Sequence, residues 1–265
     1  MAILRLEQSD NQYTPEKLTL LTVHSSHTSR RHSVSIYNAQ STSKDLPVVI
    51  LMHGVYGDHW CWMHLGGAHV VYERLRQQGL NEFVLVMPSD GGIGDGSGYL
   101  PLANGEDYDA WVTDDLRAAV TQTIDGVSAK SRWYISGLSM GGFGALRLSA
   151  KYPDKYQGIS AHSSVTSIAD LKLFTDVDEQ LFTAKVVAES ELLPWFTTAK
   201  NLPPLRLDCG EGDELYTSNL ALAKALKDAG IEHSFETFSG GHEWTYWHQH
   251  LEDTLNFFNQ IELRQ

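Results

Sequence analysis

The sequence predicts an α/β protein built on a mostly parallel, doubly wound sheet, and three features of the chain support this fold class. Continuous apolar runs at Leu46–Met52 and Phe83–Met87 are typical of central strands that are covered on both faces. Helical patterns alternate with the apolar runs along the chain, as parallel strands joined by helices require. Before them, alternating apolar and polar residues at Leu18–His27 and His32–Tyr37 predict antiparallel N-terminal edge strands.

The later elements follow the same alternation. Helices are predicted at 69–78, 108–124, 140–151, 220–229 and 244–261, and strands at 132–136, 156–162, 205–209 and 234–238. One stretch, residues 163–203, contains helical fragments but no convincing strand. It is interpreted either as a small cap insertion over an active site or as a surface excursion. No repeat or linker divides the chain, so residues 1–265 are expected to form one domain.

Composition argues against several classes of protein. The 265 residues carry 20 Lys and Arg against 33 Asp and Glu, a net charge of −13. Such a charge opposes binding to nucleic acid or to an anionic membrane. Residues 1–10 have no apolar signal core, and no run approaches the ~20 apolar residues of a membrane span, so we expect a cytoplasmic protein. Cys61 and Cys209 are expected to be buried free thiols, although one disulfide stays open as an alternative.

A candidate nucleophile lies in the segment Gly137-Leu138-Ser139-Met140-Gly141, which fits the pattern G-x-S-x-G. An apolar strand precedes this segment and a helix rich in small residues follows it. Glycines at both ends permit a sharp turn that would lift the Ser139 hydroxyl above the sheet. The positive N-terminal end of the helix would then favour an oxyanion beside the serine.

A serine nucleophile needs a general base, which in this strand–turn–helix arrangement comes late in the chain. Five histidines are candidates: His162, His233, His242, His248 and His250. We favour His242, because it follows the last strand on a glycine-rich loop at the same sheet edge as Ser139. His248 and His250 fall inside the last helix and are expected at the surface. His233 comes before its strand, at the opposite edge, whereas His162 ends a strand and is a candidate for lining the site.

The acidic partner is expected after the strand at 205–209. Asp213 is favoured, because the loop Gly210–Asp213 lies beyond the carboxyl end of this strand and can orient an imidazole. Glu211 is the next choice, with Glu214 also in the loop, whereas Asp208 lies within the strand itself. An alternative role for Asp213 is to cap the helix that follows.

An oxyanion hole is predicted from the loop His53-Gly54-Val55-Tyr56-Gly57, which follows the first central strand. A tight glycine loop at this place can direct a backbone N–H at the developing oxyanion. We expect Val55 to supply the first donor, with Tyr56 as the alternative, and Met140 to supply the second. His53 is interpreted as structural, because His242 is the better-placed base.

Four segments follow one another along the chain: LMHGVYGDHWCW, GLSMGGFGALRLSAKYPDKY, CGEGDELY and SGGHEWTYWHQHL. Together they resemble the esterase family of α/β-hydrolases, which includes esterase D, tributyrin-type acetylesterases, S-formylglutathione hydrolases, feruloyl esterases and the antigen 85 mycolyltransferases. The resemblance covers roughly residues 30–258 and is greatest to the tributyrin-esterase subgroup. It implies the α/β-hydrolase fold and assigns the nucleophile, acid and base to Ser139, Asp213 and His242. It also implies oxyanion donors at Val55 and Met140.

The resemblance implies a serine carboxylesterase that hydrolyses short-chain acyl esters through an acyl-enzyme. The alternatives with the same triad are a thioesterase, a feruloyl esterase and an acyltransferase; outside enzymes, the alternative is a catalytically dead binding protein on this scaffold. The loop after the first central strand lacks the S-G-L-T-C-type sequence of formylglutathione hydrolases, which argues against the glutathione thioester. The partner is expected to be a small-molecule ester, and a homo-oligomer is possible.

Aromatic residues beside the predicted catalytic loops are candidates for binding substrate. We predict this role for Tyr56, Trp60 and Trp244. Of the four tryptophans that flank these loops, Trp60, Trp62, Trp244 and Trp247, some are expected to line the pocket and most to be packed in the interior.

No metal and no cofactor are expected. Asp58, His59, His64 and His69 are poorly spaced for a shared helix face, and the Gly- and Asp-rich loop 89–96 lacks the glutamate of an EF-hand. We interpret that loop as a flexible part of the pocket rim.

Overall fold

The computed structural model describes residues 3–92, 94–176 and 183–265. Within these residues, nine strands form one sheet in the order β1-β2-β3-β5-β4-β6-β7-β8-β9. The strands are β1 (Ile3–Gln8), β2 (Leu18–Ser25), β3 (Arg31–Tyr37), β4 (Val48–Met52), β5 (Val84–Pro88), β6 (Trp133–Leu138), β7 (Gly158–His162), β8 (Leu205–Gly210) and β9 (Ser234–Phe238). The pairs β1·β2, β2·β3 and β3·β5 are antiparallel, and the other pairs are parallel. The predicted fold class is therefore confirmed.

Helices cover both faces of the sheet. They are α1 (Cys61–His64), α2 (Ala68–Gln77), α3 (Tyr108–Ala110), α4 (Arg117–Thr123), α5 (Met140–Lys151), α6 (Leu193–Thr198), α7 (Tyr216–Asp228) and α8 (Trp244–Glu262). A π-helical segment, Trp111–Leu116, joins α3 to α4. Among the described residues, no helix is both long enough and apolar enough to cross a membrane.

Strand β4 shows how the sheet separates two cores. All five of its residues are fully buried. Val48, Ile50 and Met52 face the core that contains residues of α4 and α5, whereas Val49 and Leu51 face the core that contains residues of α2 and α8. A strand that is covered on both faces needs apolar residues at every position, which is why its sequence is continuously apolar.

The strand order reverses around β4, and this reversal determines where a site can form. Strand β4 lies between β5 and β6, and Met52 at its carboxyl end pairs with Gly137 of β6. The connections that follow β4 and β6 leave the same edge of the sheet side by side. Sites in open α/β sheets form at such a switch point, beyond the carboxyl ends of the strands.

Two elements differ from the predictions. Strand β1 was not predicted, because most of its residues are exposed and its sequence shows no regular apolar face. The predicted helix at 108–124 is helical throughout 108–123, but the π-helical segment interrupts its α-helical geometry. Hydrophobic periodicity does not distinguish one π turn from an α turn, because both place apolar residues on one side.

The cap segment, residues 163–203, contains the short 3-10 helices Ile168–Leu173 and Val187–Ser190, followed by α6. A buried ion-pair cluster holds it against α5. Lys151 Nζ lies 2.6 Å from both Asp109 and Glu189, and Arg147 pairs with the same two carboxylates. Because Glu189 belongs to the cap segment and Arg147 to α5, these charges connect the cap segment to the helix that starts after Ser139.

Candidate active site

Ser139 occupies the turn between β6 and α5. Its backbone has φ 53° and ψ −121°, a conformation that is strained for a residue with a side chain. A Cβ at Gly137 would overlap the carbonyl of Gly141, and a Cβ at Gly141 would overlap the carbonyl of Met52. Close backbone packing therefore requires both glycines, as the G-x-S-x-G pattern predicts.

Ser139, His242 and Asp213 form a continuous line of polar contacts. His242 Nε2 lies 3.0 Å from Ser139 Oγ, and His242 Nδ1 lies 2.9 Å from Asp213 Oδ2. Because a carboxylate only accepts hydrogen bonds, Nδ1 carries the imidazole proton and Nε2 is left to accept the serine proton. The Asp213 side chain is fully buried and the His242 side chain is 12% exposed, so only the imidazole is open to the cavity.

Backbone contacts between two loops position the acid and the base. The Gly212 N–H donates to the Gly240 carbonyl over 2.8 Å, which joins the loop of Asp213 to the loop of His242. Asp213 Oδ1 accepts a second hydrogen bond, 2.8 Å long, from the Leu215 N–H. The carboxylate is thus fixed by its own loop, and both of its oxygens lie within 3.1 Å of the imidazole Nδ1.

The alternative acids and bases have other surroundings, although the Glu214 carboxylate lies within 4.8 Å of the ligand atoms of Asp213 and His242. Asp208 is fully buried and lies beside His162, 2.8 Å from its Nδ1, whereas Glu211 and Glu214 are exposed. His162 is also fully buried, so it does not line the cavity as a strand-end histidine was expected to do.

The other three candidate histidines, His233, His248 and His250, lie in three different environments. His233 Nδ1 contacts the Ile231 carbonyl before β9, and His248 is exposed as predicted. The prediction that His250 is a surface residue was wrong. Only 4% of it is exposed, because its ring stacks on Phe238 with the centroids 4.0 Å apart.

Two backbone donors lie beside Ser139, one on the loop after β4 and one at the first residue of α5. Within the described part of the chain, the N–H groups of Val55 and Met140 have no acceptor. The Tyr56 N–H, the alternative donor, is occupied by the Asp95 carbonyl at 2.9 Å. His53 is 99% buried, and its Nδ1 donates to the Gly54 carbonyl over 2.8 Å, so it shapes the loop.

A cavity of about 280 Å³ opens above Ser139 and His242. Its walls are mainly apolar and aromatic, with side chains from Tyr56, Cys61, Leu65, Phe174, Trp244 and Trp247. Burial raises the pKa of the Cys61 thiol, which keeps this neighbouring group protonated and unreactive.

The structure places two of the three predicted substrate-binding residues, Tyr56 and Trp244, in the cavity wall, but not Trp60. Trp60 precedes α1, whose first residues Cys61 and Trp62 are buried. The Trp60 side chain is left 41% exposed outside the lining.

Phe174 is a site residue that the sequence did not reveal. It comes from the cap segment, and its ring stacks on His242 with the centroids 4.4 Å apart and the planes at 23°. The Tyr56 hydroxyl donates to the Phe174 carbonyl, which ties the cap segment to the loop after β4. On the other side, Trp247 contacts His242 edge-on at 5.0 Å. The imidazole is thus held between two aromatic rings.

Metal-ligating side chains converge at one place among the described residues: Asp213, Glu214 and His242. There, the imidazole Nδ1 and the Asp213 carboxylate already contact each other. The set at Asp58, His59, His64 and His69 does not converge. In loop 89–96, of which residue 93 lies outside the described part, the Asp90 oxygens accept the N–H groups of Gly92 and Ser97.

Comparisons with known proteins agree with this architecture. The acetyl esterase of Caldicellulosiruptor saccharolyticus is 26% identical over 239 residues, which cover 83% of this chain and 85% of that protein. A ferulic acid esterase structure superposes with a TM-score of 0.79 at 24% identity, covering 97% of this chain and 98% of that one. The S-formylglutathione hydrolase of Staphylococcus aureus superposes with a TM-score of 0.74 at 21% identity, covering 96% and 99%. At these identities, the two structures establish the α/β-hydrolase fold.

The family itself is shown by the sequence of the chain. Residues 25–258 match the model of the esterase family that is described as Putative esterase. The match takes in the turn at Ser139, the loop after β4 and the loops of Asp213 and His242. The protein therefore belongs to the Putative esterase family and is a serine esterase with the α/β-hydrolase fold.

Proposed function

We propose that the protein hydrolyses short-chain carboxylic esters through an acyl-enzyme formed on Ser139. The observation that carries the proposal is the line of contacts from Asp213 through His242 to Ser139, which ends at a cavity. Similarity to an acetyl esterase supports the same assignment.

Acylation begins when Ser139 Oγ attacks the ester carbonyl carbon and its proton passes to His242 Nε2. Asp213 holds the imidazole in the required tautomer and stabilises the imidazolium. The tetrahedral intermediate then collapses, and the imidazolium returns the proton to the leaving alcohol. Water, activated by the same histidine, attacks the acyl-enzyme and releases the acid.

The oxyanion that forms in both steps would be stabilised by the N–H groups of Val55 and Met140. Neither group has an acceptor among the described residues; Val55 lies on the loop after β4, and Met140 is the first residue of α5, directly after Ser139. The loss of one such donor typically costs about 3–4 kcal/mol of transition-state stabilisation.

The volume and the lining of the cavity favour a short, uncharged substrate. Its volume of about 280 Å³ is close to the lower limit of ligand pockets, roughly 300 Å³. Its described lining contains Glu243 but no Lys or Arg that could pair with the carboxylates of a glutathione thioester. Thioesters, feruloyl esters and acyl transfer stay as alternatives with the same triad. The intact geometry argues against a dead binding protein.

We further propose that the enzyme is one domain that works in the cytoplasm. Cys61 and Cys209 are both buried free thiols, which suits a reducing compartment. Its oligomeric state stays a prediction.

The decisive experiment is Ser139→Ala, assayed with p-nitrophenyl acetate and with a fluorophosphonate label. We expect both hydrolysis and labelling to be lost while the circular dichroism spectrum is unchanged. Ser149→Ala is the matched control, because Ser149 is a buried serine of α5 whose hydroxyl bonds to its own helix. Retained hydrolysis in Ser139→Ala would remove the mechanism. A panel of p-nitrophenyl esters, a feruloyl ester and S-formylglutathione would then rank the substrate classes.

A further inference from the structure

A second aspartate–histidine pair lies in the interior behind Ser139. His162 Nδ1 is 2.8 Å from Asp208 Oδ2, and neither side chain is exposed to solvent. The two residues also face each other across neighbouring strands, since His162 of β7 pairs with Asp208 of β8. This pair contains the residue types of a catalytic dyad, but no substrate can reach it.

The pair is connected to each of the three segments that carry the triad. The His162 carbonyl accepts the Ser139 N–H over 3.0 Å, so it holds the backbone of the nucleophile. Asp208 Oδ1 accepts the Tyr246 hydroxyl over 2.9 Å, and Tyr246 lies in the first turn of α8, four residues after His242. Asp208 itself lies on the strand that leads to Asp213, five residues later.

Further polar contacts fix the geometry of this cluster. Arg206 donates to Asp208 Oδ2, and Thr254 Oγ1 of α8 lies 2.8 Å from His162 Nε2. Burial raises the pKa of Asp208, but His162 and Arg206 outweigh burial and hold it at about 2. The carboxylate is thus ionised and paired on both oxygens. The Asp208 carboxylate, which has partners at both oxygens, is held rigidly, because the loss of a partner would leave a charged oxygen unsatisfied in the interior.

We propose that Asp208 is a positioning residue for the esterase reaction. Through His162 and Tyr246 it holds the segments of Ser139 and His242 in register with the strand that leads to Asp213. The proposal rests on the triad mechanism stated under "Proposed function", and it adds a residue that does not touch the substrate. A shift of about 1 Å between reacting groups can cost about a hundredfold in rate, so such a connection has a measurable effect on catalysis.

The test compares three purified full-length variants. Asp208→Asn removes the charge, and Tyr246→Phe removes one hydroxyl and leaves the contact between Asp208 and His162 in place. Tyr134→Phe is the matched control, because Tyr134 is also a buried tyrosine whose hydroxyl donates to a carboxylate, that of Glu262. Its position in β6, however, is five residues before Ser139, at the other end of the strand.

We expect kcat for p-nitrophenyl acetate to fall about ten- to a hundredfold in Asp208→Asn and about fivefold in Tyr246→Phe, with KM within about twofold of wild type. Fluorophosphonate labelling should slow in parallel, and the downfield proton resonance of His242 Nδ1–H should shift or broaden. Tyr134→Phe should keep kcat and this resonance, even where its melting temperature falls as much as that of Tyr246→Phe.

Two outcomes would overturn the positioning role. One is a kcat within twofold of wild type in Tyr246→Phe and in folded Asp208→Asn. The other is a loss of kcat in Tyr134→Phe equal to that in Tyr246→Phe, which would show that the loss of kcat comes from reduced stability. If Asp208→Asn does not fold, Tyr246→Phe decides alone. A failure of the triad mechanism is recognised separately, because Ser139→Ala would then remain active.

Discussion

Replacing Asp213 by Asn tests the orientation of the base, and the structure shows how it would act. Asp213 Oδ1 accepts the Leu215 N–H at 2.8 Å, and His242 Nδ1 lies 2.9 Å from Oδ2, closer than the 3.1 Å that separates it from Oδ1. The asparagine carbonyl would keep the bond from Leu215, so its NH₂ group would face Nδ1 as a donor. The imidazole proton would then move to Nε2, which would donate to the Ser139 hydroxyl when it should accept from it.

The wrong tautomer removes general-base catalysis while the fold is kept, so kcat for p-nitrophenyl acetate should fall by about 10⁴, or about 5 kcal/mol of activation free energy. Fluorophosphonate labelling should slow to a similar extent. Glu214→Gln is the control, because it removes the same charge from the next residue, and it should retain kcat within about twofold. An Asp213→Asn variant with more than a tenth of the wild-type kcat, or an equal loss in Glu214→Gln, would refute the tautomer argument.

Two further predictions concern aromatic contacts and pH. Phe174→Ala removes the ring stacked on His242, a contact worth about 0.5–1.5 kcal/mol. In steady-state assays, kcat/KM should therefore fall about two- to tenfold. Leu173→Ala is the control, because Leu173 is an exposed neighbour, and it should leave kcat/KM unchanged. Burial lowers the pKa of His32 from 6.5 to about 4, so the unfolded chain takes up this proton first and stability decreases as the pH falls from 6.5 to about 4. The measurement is urea unfolding at pH 7 and pH 5. Between these two pH values, the free energy of unfolding should fall by about 2 kcal/mol less in His32→Gln than in wild type. An equal fall in His32→Gln and in the control His24→Gln would contradict the assignment.

The sheet could be predicted because two of its central strands, β4 and β5, are apolar at every position. Both strands are five residues long and are buried at every position, as strands covered on two faces must be. Strand β1 could not be predicted, because an exposed edge strand is held by backbone hydrogen bonds, which any sequence can make. Its partner β2 shows the alternation that a half-buried strand requires.

The positions of Ser139, Asp213 and His242 could be anticipated because each follows a strand at the carboxyl edge of the sheet. Chain order and strand ends therefore indicate that the three residues lie close together, and this prediction needs no information on long-range packing. Phe174 gave no such signal, since it follows a short 3-10 helix in the cap segment. Only in the folded chain does its ring centroid lie 4.4 Å from that of the His242 imidazole. His250 was misplaced for a related reason, because its burial depends on Phe238 of β9.

The two aspartate–histidine pairs show why residue type alone does not define the catalytic acid and base. Asp208 and His162 lie within strands, so their side chains point across the sheet into a layer that α8 covers completely. Asp213 and His242 lie three and four residues beyond the ends of their strands, on glycine loops that turn the imidazole toward the cavity. A histidine can exchange a proton with a substrate only where one nitrogen is free of permanent partners. His242 Nε2 meets this condition beside Ser139, whereas both nitrogens of His162 lie 2.8 Å from buried side chains, those of Asp208 and Thr254, so that pair is suited to holding the chain in place.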